Sequence, residues 1–188
     1  MPAWWPIDSE GWSGDMADPL LPHQEVGARW LAERRQAFLA DSMRVGKTPT
    51  SIRACDLVGA ERILVLCPAV ARMNWGREFV RFSQRARRPV VWLTQTPSPG
   101  WNGMSICSYD LATRNSVRSK LSSVAWEVVI LDEAHYLKTP AAKRTTAAYG
   151  LVKGARCWRL SGTPAPNHYG ELFTHLRTAG LYADSYAS

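Results

Sequence analysis

Three short runs carry residue types that could do phosphate chemistry: Val45-Gly46-Lys47-Thr48, Asp132-Glu133-Ala134-His135 and Ser161-Gly162-Thr163-Pro164. Ahead of the second, Val128-Val129-Ile130-Leu131 reads as a buried strand with two adjacent carboxylates emerging at its end. Such a pair suits a metal nucleotide. Asp132 can hold Mg²⁺ through water, and Glu133 can polarise a water that attacks a γ-phosphate. Taken alone, this run is also what a strand followed by a solvated helix start looks like. In the first run, Gly46 lets the backbone curl so that its N–H groups face a phosphate. Lys47 then reaches the β/γ oxygens, and Thr48 offers a hydroxyl to the metal. The strict pattern G-x-x-x-x-G-K-[ST] fails at its first slot, which holds Asp41, and a surface Gly turn beside a lysine is the plain alternative. It is the order of the three runs along one chain that favours the phosphate reading.

These residues need strands and helices to hold them, and the apolar patterning supplies both. An irregular, Trp-rich arm is read over residues 1–20, with Trp4, Trp5 and Trp12 free to dock on the domain or on a partner. A helix is predicted from about Gln24 to Arg35, with Val26, Trp30 and Leu31 on its apolar side. Ala37 to Ala40 reads as a strand entering the Gly46-Lys47-Thr48 loop, and Lys47 to Val58 as a helix that tolerates Pro49 in its first turn. Arg62 to Cys67 is a continuous apolar run, as in a strand covered on both faces. The helix after Pro68 places Trp75, Phe79 and Phe82 on one side, so Trp75 reads as core rather than as a base-stacking platform.

Further strands are predicted at Val90 to Thr94, Met104 to Ser108 and Ala155 to Leu160. Helices are predicted at Asp110 to Ser122, Pro140 to Val152 and Tyr169 to Thr178. Alternation of this kind implies an α/β, three-layer domain: a mostly parallel central sheet flanked by helices, with ligands at the carboxyl ends of the strands.

Size allows one well-buried domain in 188 residues, 46% of them hydrophobic. A net charge of +7 favours a polyanionic partner such as nucleic acid, although a generally basic protein would look the same. The four cysteines, Cys55, Cys67, Cys107 and Cys157, show no CxxC pair and read as reduced thiols. No apolar run approaches transmembrane length and no signal peptide opens the chain, so a cytoplasmic, intracellular protein with no membrane partner is expected. Arg81, Arg85, Arg87 and Arg88 read as a solvated face more than as a nucleic-acid patch. His168 and His175 read as helix-surface residues.

Beyond these runs, the motifs resemble the first RecA-like lobe of a superfamily 2 helicase-type ATPase, closest to the Swi/Snf-like DNA translocases. Leu21-Pro22-His23-Gln24 with Gly27 and Trp30-Leu31 resembles the adenine-reading segment that opens that lobe. Asp41, Met43 and Gly46-Lys47-Thr48 resemble the family's D-E-M-G-x-G-K-T, which accounts for Asp in the first slot. Cys67-Pro68, Asn74-Trp75, Glu78-Phe79 and Ser108-Tyr109-Asp110-Leu111 resemble the next two motifs, which lie along nucleic acid in the family. Asp132 to Lys138 with Ala142-Lys143-Arg144 resembles the extended second motif, and Leu160 to Pro164 with Asn167 and Glu171-Leu172 the third.

The resemblance spans roughly residues 20 to 178 and implies ATP and Mg²⁺ as cofactors. It implies Lys47, Asp132 and Glu133 as catalytic, Thr48 and Asp132 as metal-side, and Gln24 with Arg44, Val45, Gly46, Lys47, Thr48 and Pro49 around the nucleotide. Arg72, Asn74, Ser108 and Tyr109 would track the phosphate backbone, by contacts that are independent of sequence. His135, Ser161, Gly162 and Thr163 would couple hydrolysis to movement, while a Gly-Pro turn is the structural reading of the same residues. RNA-directed DEAD-box enzymes usually carry Ser-Ala-Thr at the third motif, so Ser161-Gly162-Thr163-Pro164 points to DNA by analogy.

Two departures stand inside the loop: Ser42 where the family usually has Glu, and Arg44 where it usually has Gly. With the chain ending at Ser188, the second lobe and its arginine-finger motif are expected to lie outside it, either on a longer protein or on a partner. An ATP-dependent DNA translocase lobe that needs this second lobe is therefore the leading expectation. The rival is a non-catalytic module that binds ATP or DNA and regulates a partner protein. A small-molecule kinase would not need the Ser161-Gly162-Thr163-Pro164 run.

Overall fold

The computed structural model describes residues 17–42, 44–85, 89–94, 103–163 and 173–178. Six strands form one sheet: β1 (Gln36–Leu39), β2 (Ile63–Cys67), β3 (Val90–Val91), β4 (Met104–Ser108), β5 (Val128–Leu131) and β6 (Arg156–Leu160). Their order is β1-β6-β5-β2-β4-β3, and all the pairings are parallel. Parallel strands need crossovers, and helices on both faces supply them. The helices are α1 (Pro22–Ala32), α2 (Lys47–Leu57), α3 (Arg72–Phe82), α4 (Tyr109–Ala112), α5 (Asn115–Ser122), α6 (Lys143–Gly150) and α7 (Phe173–Thr178).

Strand β2 shows why the apolar runs are unbroken. Ile63, Val65 and Cys67 point into one core with Leu31, Ile52, Trp75 and Phe79 of α1, α2 and α3. Leu64 and Leu66 point into the other, with Val117, Leu121 and Ala148 of α5 and α6. Side chains alternate across a strand, so a strand with a core on each side must be apolar at every position. The same logic holds for Val128–Leu131.

Three expectations are corrected here. The buried side of α1 is Gln24, Ala28 and Leu31, whereas Val26 is 69% exposed and Trp30 38% exposed. Helix α1 lies so close on α2 that a Cβ at Gly27 would stand 3.0 Å from the Thr50 methyl, and small residues decide the contact face. The predicted helix 110–122 is two helices, because Arg114 is extended (φ −74°, ψ 128°) and Ser108 caps α4 by accepting from the Leu111 N–H at 3.3 Å. Strand β3 is only two residues long, and Trp92 continues its ladder with one bond, N–H to Ile106 O at 2.8 Å.

The four cysteines are all buried, in keeping with core thiols. Burial pushes the Cys107 thiol up to about 12 and the Cys157 thiol up to about 11. Among the described residues, no helix is long and apolar enough to cross a membrane. Of the arm, Trp4, Trp5 and Trp12 lie outside the described residues, as do Met43, Arg87, Arg88, Pro164, Asn167, His168, Tyr169 and Glu171. Its last residues touch α3, where the Asp18 N–H donates to Arg81 O at 3.0 Å and the Asp18 carboxylate pairs with Arg81.

Candidate functional site

Phosphate chemistry of the kind read from the sequence requires the three runs to meet at one edge of the sheet, and they do. Strand β1 ends at Leu39, β6 at Leu160 and β5 at Leu131, all parallel, so the segments that follow them emerge on the same side. Backbone bonds stitch this edge together: Ser161 N–H to Leu39 O at 3.1 Å and Asp132 N–H to Leu66 O at 2.8 Å.

The loop between β1 and α2 is shaped by two left-handed residues, Arg44 (φ 66°) and Gly46 (φ 87°). Gly46 is required twice over. Its φ favours glycine, and an added Cβ would overlap the Gln24 amide nitrogen. Arg44 adopts the same region without that freedom and carries an exposed side chain there. Lys47 opens α2, and its ammonium donates to Asp41 O and Ser42 O, both at 2.9 Å. Thr48 is half-buried in the first turn, and Pro49 is buried behind it.

Gln24 braces this loop from α1. Its amide N–H donates to Val45 O at 3.1 Å, and its amide oxygen accepts from the Leu21 N–H at 2.9 Å. His23 Nε2 lies 3.1 Å from the same Val45 O. A glutamine amide has two donor hydrogens and two acceptor lone pairs. One of each is engaged in these two bonds.

Asp132 is gripped on every polar atom. Its Oδ2 accepts from the Trp75 indole N–H at 2.7 Å and its Oδ1 from the Glu133 N–H at 3.0 Å, while its carbonyl accepts from the Tyr109 hydroxyl at 2.6 Å. Burial raises the Asp132 carboxyl above the ordinary value. The Trp75 bond opposes this, the neighbouring Glu133 charge adds to it, and the Lys47 ammonium lies near enough to lower it.

Glu133 sits in the left-handed region (φ 48°, ψ 51°), a conformation of the kind held at functional sites by the surrounding structure. Its Oε2 is buried and lies 3.1 Å from His135 Nδ1, at ion-pair distance but without hydrogen-bond alignment. The same Nδ1 lies 3.2 Å from Ser161 Oγ, which in turn accepts from the Thr163 N–H at 3.1 Å. One ring nitrogen cannot serve both neighbours at once. As N–H it faces both the Glu133 carboxylate and Ser161 Oγ, and as a bare nitrogen it can accept from the Ser161 hydroxyl alone.

Among the described residues, no group of three or more His, Cys, Asp and Glu side chains could cage a metal. Mg²⁺ keeps waters and substrate phosphates around one or two carboxylates. Each Asp132 oxygen has accepted one bond and keeps a lone pair, so the donor set fits.

The residues read as a nucleic-acid track divide. Asn74 is exposed at the start of α3. Arg72 beside it donates to Ala69 O at 3.0 Å and to Trp92 O at 2.6 Å, which ties the helix start to β3. Ser108 and Tyr109 lie deeper. Both side chains are buried and bonded inside the domain, Ser108 as the cap of α4 and Tyr109 on Asp132 O.

His175 is also corrected. It is buried against Phe38 and accepts from or donates to the Tyr149 hydroxyl at 2.7 Å. Arg81 and Arg85 pair with Asp18 and Glu61, as a solvated face would. A cavity of about 390 Å³ opens at the opposite end of the sheet, beside Arg35, Arg62 and Arg156. Those arginines are bonded to Gly154 O, Ala125 O and Ala32 O, and the cavity takes no part in this site.

Sequence reasoning missed the part played by Trp75. Its burial is legible from its spacing with Phe79, but a bond to a residue 57 positions away leaves no local signal.

A parallel sheet with a Gly-Lys-Thr loop entering a helix, and an Asp-Glu pair beside it, defines a phosphate-loop α/β lobe. Within that class the chain belongs to the SNF2-related domain family, whose model it matches over residues 23–182. It is 31% identical over 175 residues to the SWI/SNF-related matrix-associated actin-dependent regulator of chromatin subfamily A-like protein 1 of Xenopus tropicalis, covering 90% of this chain and 18% of that protein. It is also 31% identical to Helicase SWR1 of Cryptococcus neoformans (89% of this chain, 15% of that protein). The match to ATP-dependent helicase rhp16 of Schizosaccharomyces pombe is again 31% (89% of this chain, 22% of that protein). The chain thus spans less than a quarter of the length of these relatives. Among solved structures, the Sulfolobus solfataricus SWI2/SNF2 ATPase core in complex with dsDNA has the same RecA-like fold. Its TM-score is 0.74 at 23% identity, covering 88% of this chain and 36% of that one.

Proposed function

We propose that residues 21–188 form the first, ATP-binding RecA-like lobe of a DNA-dependent ATPase of translocase or helicase type. Efficient hydrolysis would need a second lobe, supplied in cis or by a partner. Its chief support is the meeting of the Lys47 loop, the Asp132-Glu133 pair and Ser161 at one sheet edge, in a chain whose family includes proteins named helicases.

In this reading Lys47 exchanges the Asp41 and Ser42 carbonyls for phosphate oxygens, and the N–H groups from Arg44 to Pro49's neighbour Thr48 line the β-phosphate. Bound Mg²⁺ would neutralise charge on the β and γ oxygens. Thr48 and Asp132 would hold it, the carboxylate largely through water. Glu133, held out by its left-handed turn, takes a proton from the attacking water. Gln24 uses its free N–H and free lone pair to read adenine, while its other half keeps the loop in place.

Loss or gain of negative charge beside Glu133 changes which neighbour His135 Nδ1 serves. Ser161, Gly162 and Thr163 then feel the change through Ser161 Oγ. Duplex DNA is the proposed partner of the face carrying Arg72 and Asn74, with contacts from guanidinium, amide and backbone groups. The net charge of +7 and the double-stranded DNA held by the Sulfolobus structure support that choice.

ATP turnover, measured with and without duplex DNA and with and without a second-lobe protein, tests the proposal. Turnover should be slow for the chain alone and rise by a factor on the order of 10³ or more once duplex and an arginine-bearing second lobe are present. No turnover under any condition would leave a non-catalytic ATP- or DNA-binding module that regulates a partner.

A further inference from the structure

The four buried tryptophans with described hydrogen bonds use their indole N–H groups differently. Trp126 donates to Leu121 O at 2.8 Å, Trp158 to Arg34 O at 3.0 Å and Trp92 to Ser105 Oγ at 3.2 Å. A buried indole must find an acceptor, and a neutral one nearby ordinarily serves. Trp75 alone among these four donates to a charged group, Asp132 Oδ2 at 2.7 Å. Its ring is 1% exposed and lies against Phe79, with centroids 5.9 Å apart, so packing fixes the direction of the N–H.

The carboxylate receives one donor on each oxygen, Trp75 from α3 and the Glu133 N–H from its own backbone. Among the described residues, the Trp75 bond is the one that sets the rotation of the carboxylate from outside its own segment. We propose that Trp75 is a positioning residue for Asp132, holding its carboxylate plane so that the remaining lone pairs face the Mg²⁺ of a bound nucleotide. This rests on the nucleotide-lobe reading above and adds a residue to it that does not touch the nucleotide. Partners that orient a metal-side carboxylate typically change metal affinity by about 10- to 100-fold when removed.

Trp75→Phe keeps an aromatic ring in the core and removes the donor together with part of the indole volume. Binding of a fluorescent ADP analogue, titrated with and without Mg²⁺, should separate positioning from packing. In the variant the metal-free affinity should match the wild type, and the gain in affinity brought by Mg²⁺ should shrink about tenfold. In an Asp132→Asn background, Trp75→Phe should add nothing further.

An undiminished Mg²⁺ gain in a folded Trp75→Phe protein would overturn the proposal. So would an equal loss of metal-free and metal-bound affinity, which marks a packing role. If the wild type itself shows no Mg²⁺-dependent nucleotide binding, the nucleotide-lobe reading fails first and takes this proposal with it. Should Trp75→Phe not fold, ¹⁵N-labelled tryptophan in the wild type decides. The indole resonance that Asp132→Asn displaces should shift with Mg·ADP and stay in place with ADP alone, and the opposite pattern would refute the role.

Discussion

Two residues of one loop share a left-handed backbone and differ in what they can tolerate. Gly46 combines a positive φ with a wall made by the Gln24 amide, so Gly46→Ala should lower stability by more than about 1 kcal/mol. Arg44 has the positive φ without a glycine, at the position where the resemblance expects one. Arg44→Gly should therefore leave stability unchanged or raise it, because relief of backbone strain offsets the added freedom of the unfolded chain. Chemical denaturation of both variants checks the contrast. The residue types of the loop were legible in the sequence. Its strain was not, because φ depends on how β1 and α2 are joined. The same limit applies to Tyr109, whose bond to Asp132 O spans 23 positions, and to Trp75. Motif reading finds Asp132 but not the two helices that hold it, through Trp75 on the carboxylate and Tyr109 on the carbonyl.

Elements were more legible than contacts. Runs such as 63–67 and 128–131 announce strands because both faces of the sheet are covered, and nothing charged survives in them. The face of α1 was misjudged because large residues were taken as the buried ones, whereas close packing on α2 selects Ala28 and Gly27. Helix α7 carries the clearest surprise. His175 is buried, and burial first, then the Arg159 and His135 charges, lowers its pKa from 6.5 to about 4. The sign follows from where the proton goes. In the unfolded chain this histidine gains its proton near pH 6.5, but in the folded state it stays neutral until about pH 4. Its contribution to stability is complete above pH 6.5 and is lost as pH falls from there towards 4. Thermal unfolding between pH 7 and 4 should show that loss, and His175→Gln should flatten the curve.

At the scale of the whole molecule, a parallel sheet delivers three separate sequence runs to one edge, and the SNF2-related family membership follows from nearly the full chain. The order of the runs along the sequence made that architecture readable. Which side chains are covered once the sheet is built was not readable, as the burial of Ser108 and Tyr109 shows. The central claim is that this edge binds Mg·ATP through Lys47. Equilibrium titration of a fluorescent nucleotide against the wild type and Lys47→Ala tests it most directly. Mg²⁺-dependent binding by the wild type is expected, with a loss of about 10- to 100-fold on removing the ammonium, the worth of charge-assisted bonds to phosphate. Equal affinity in the two proteins, or no binding by the wild type, would contradict it.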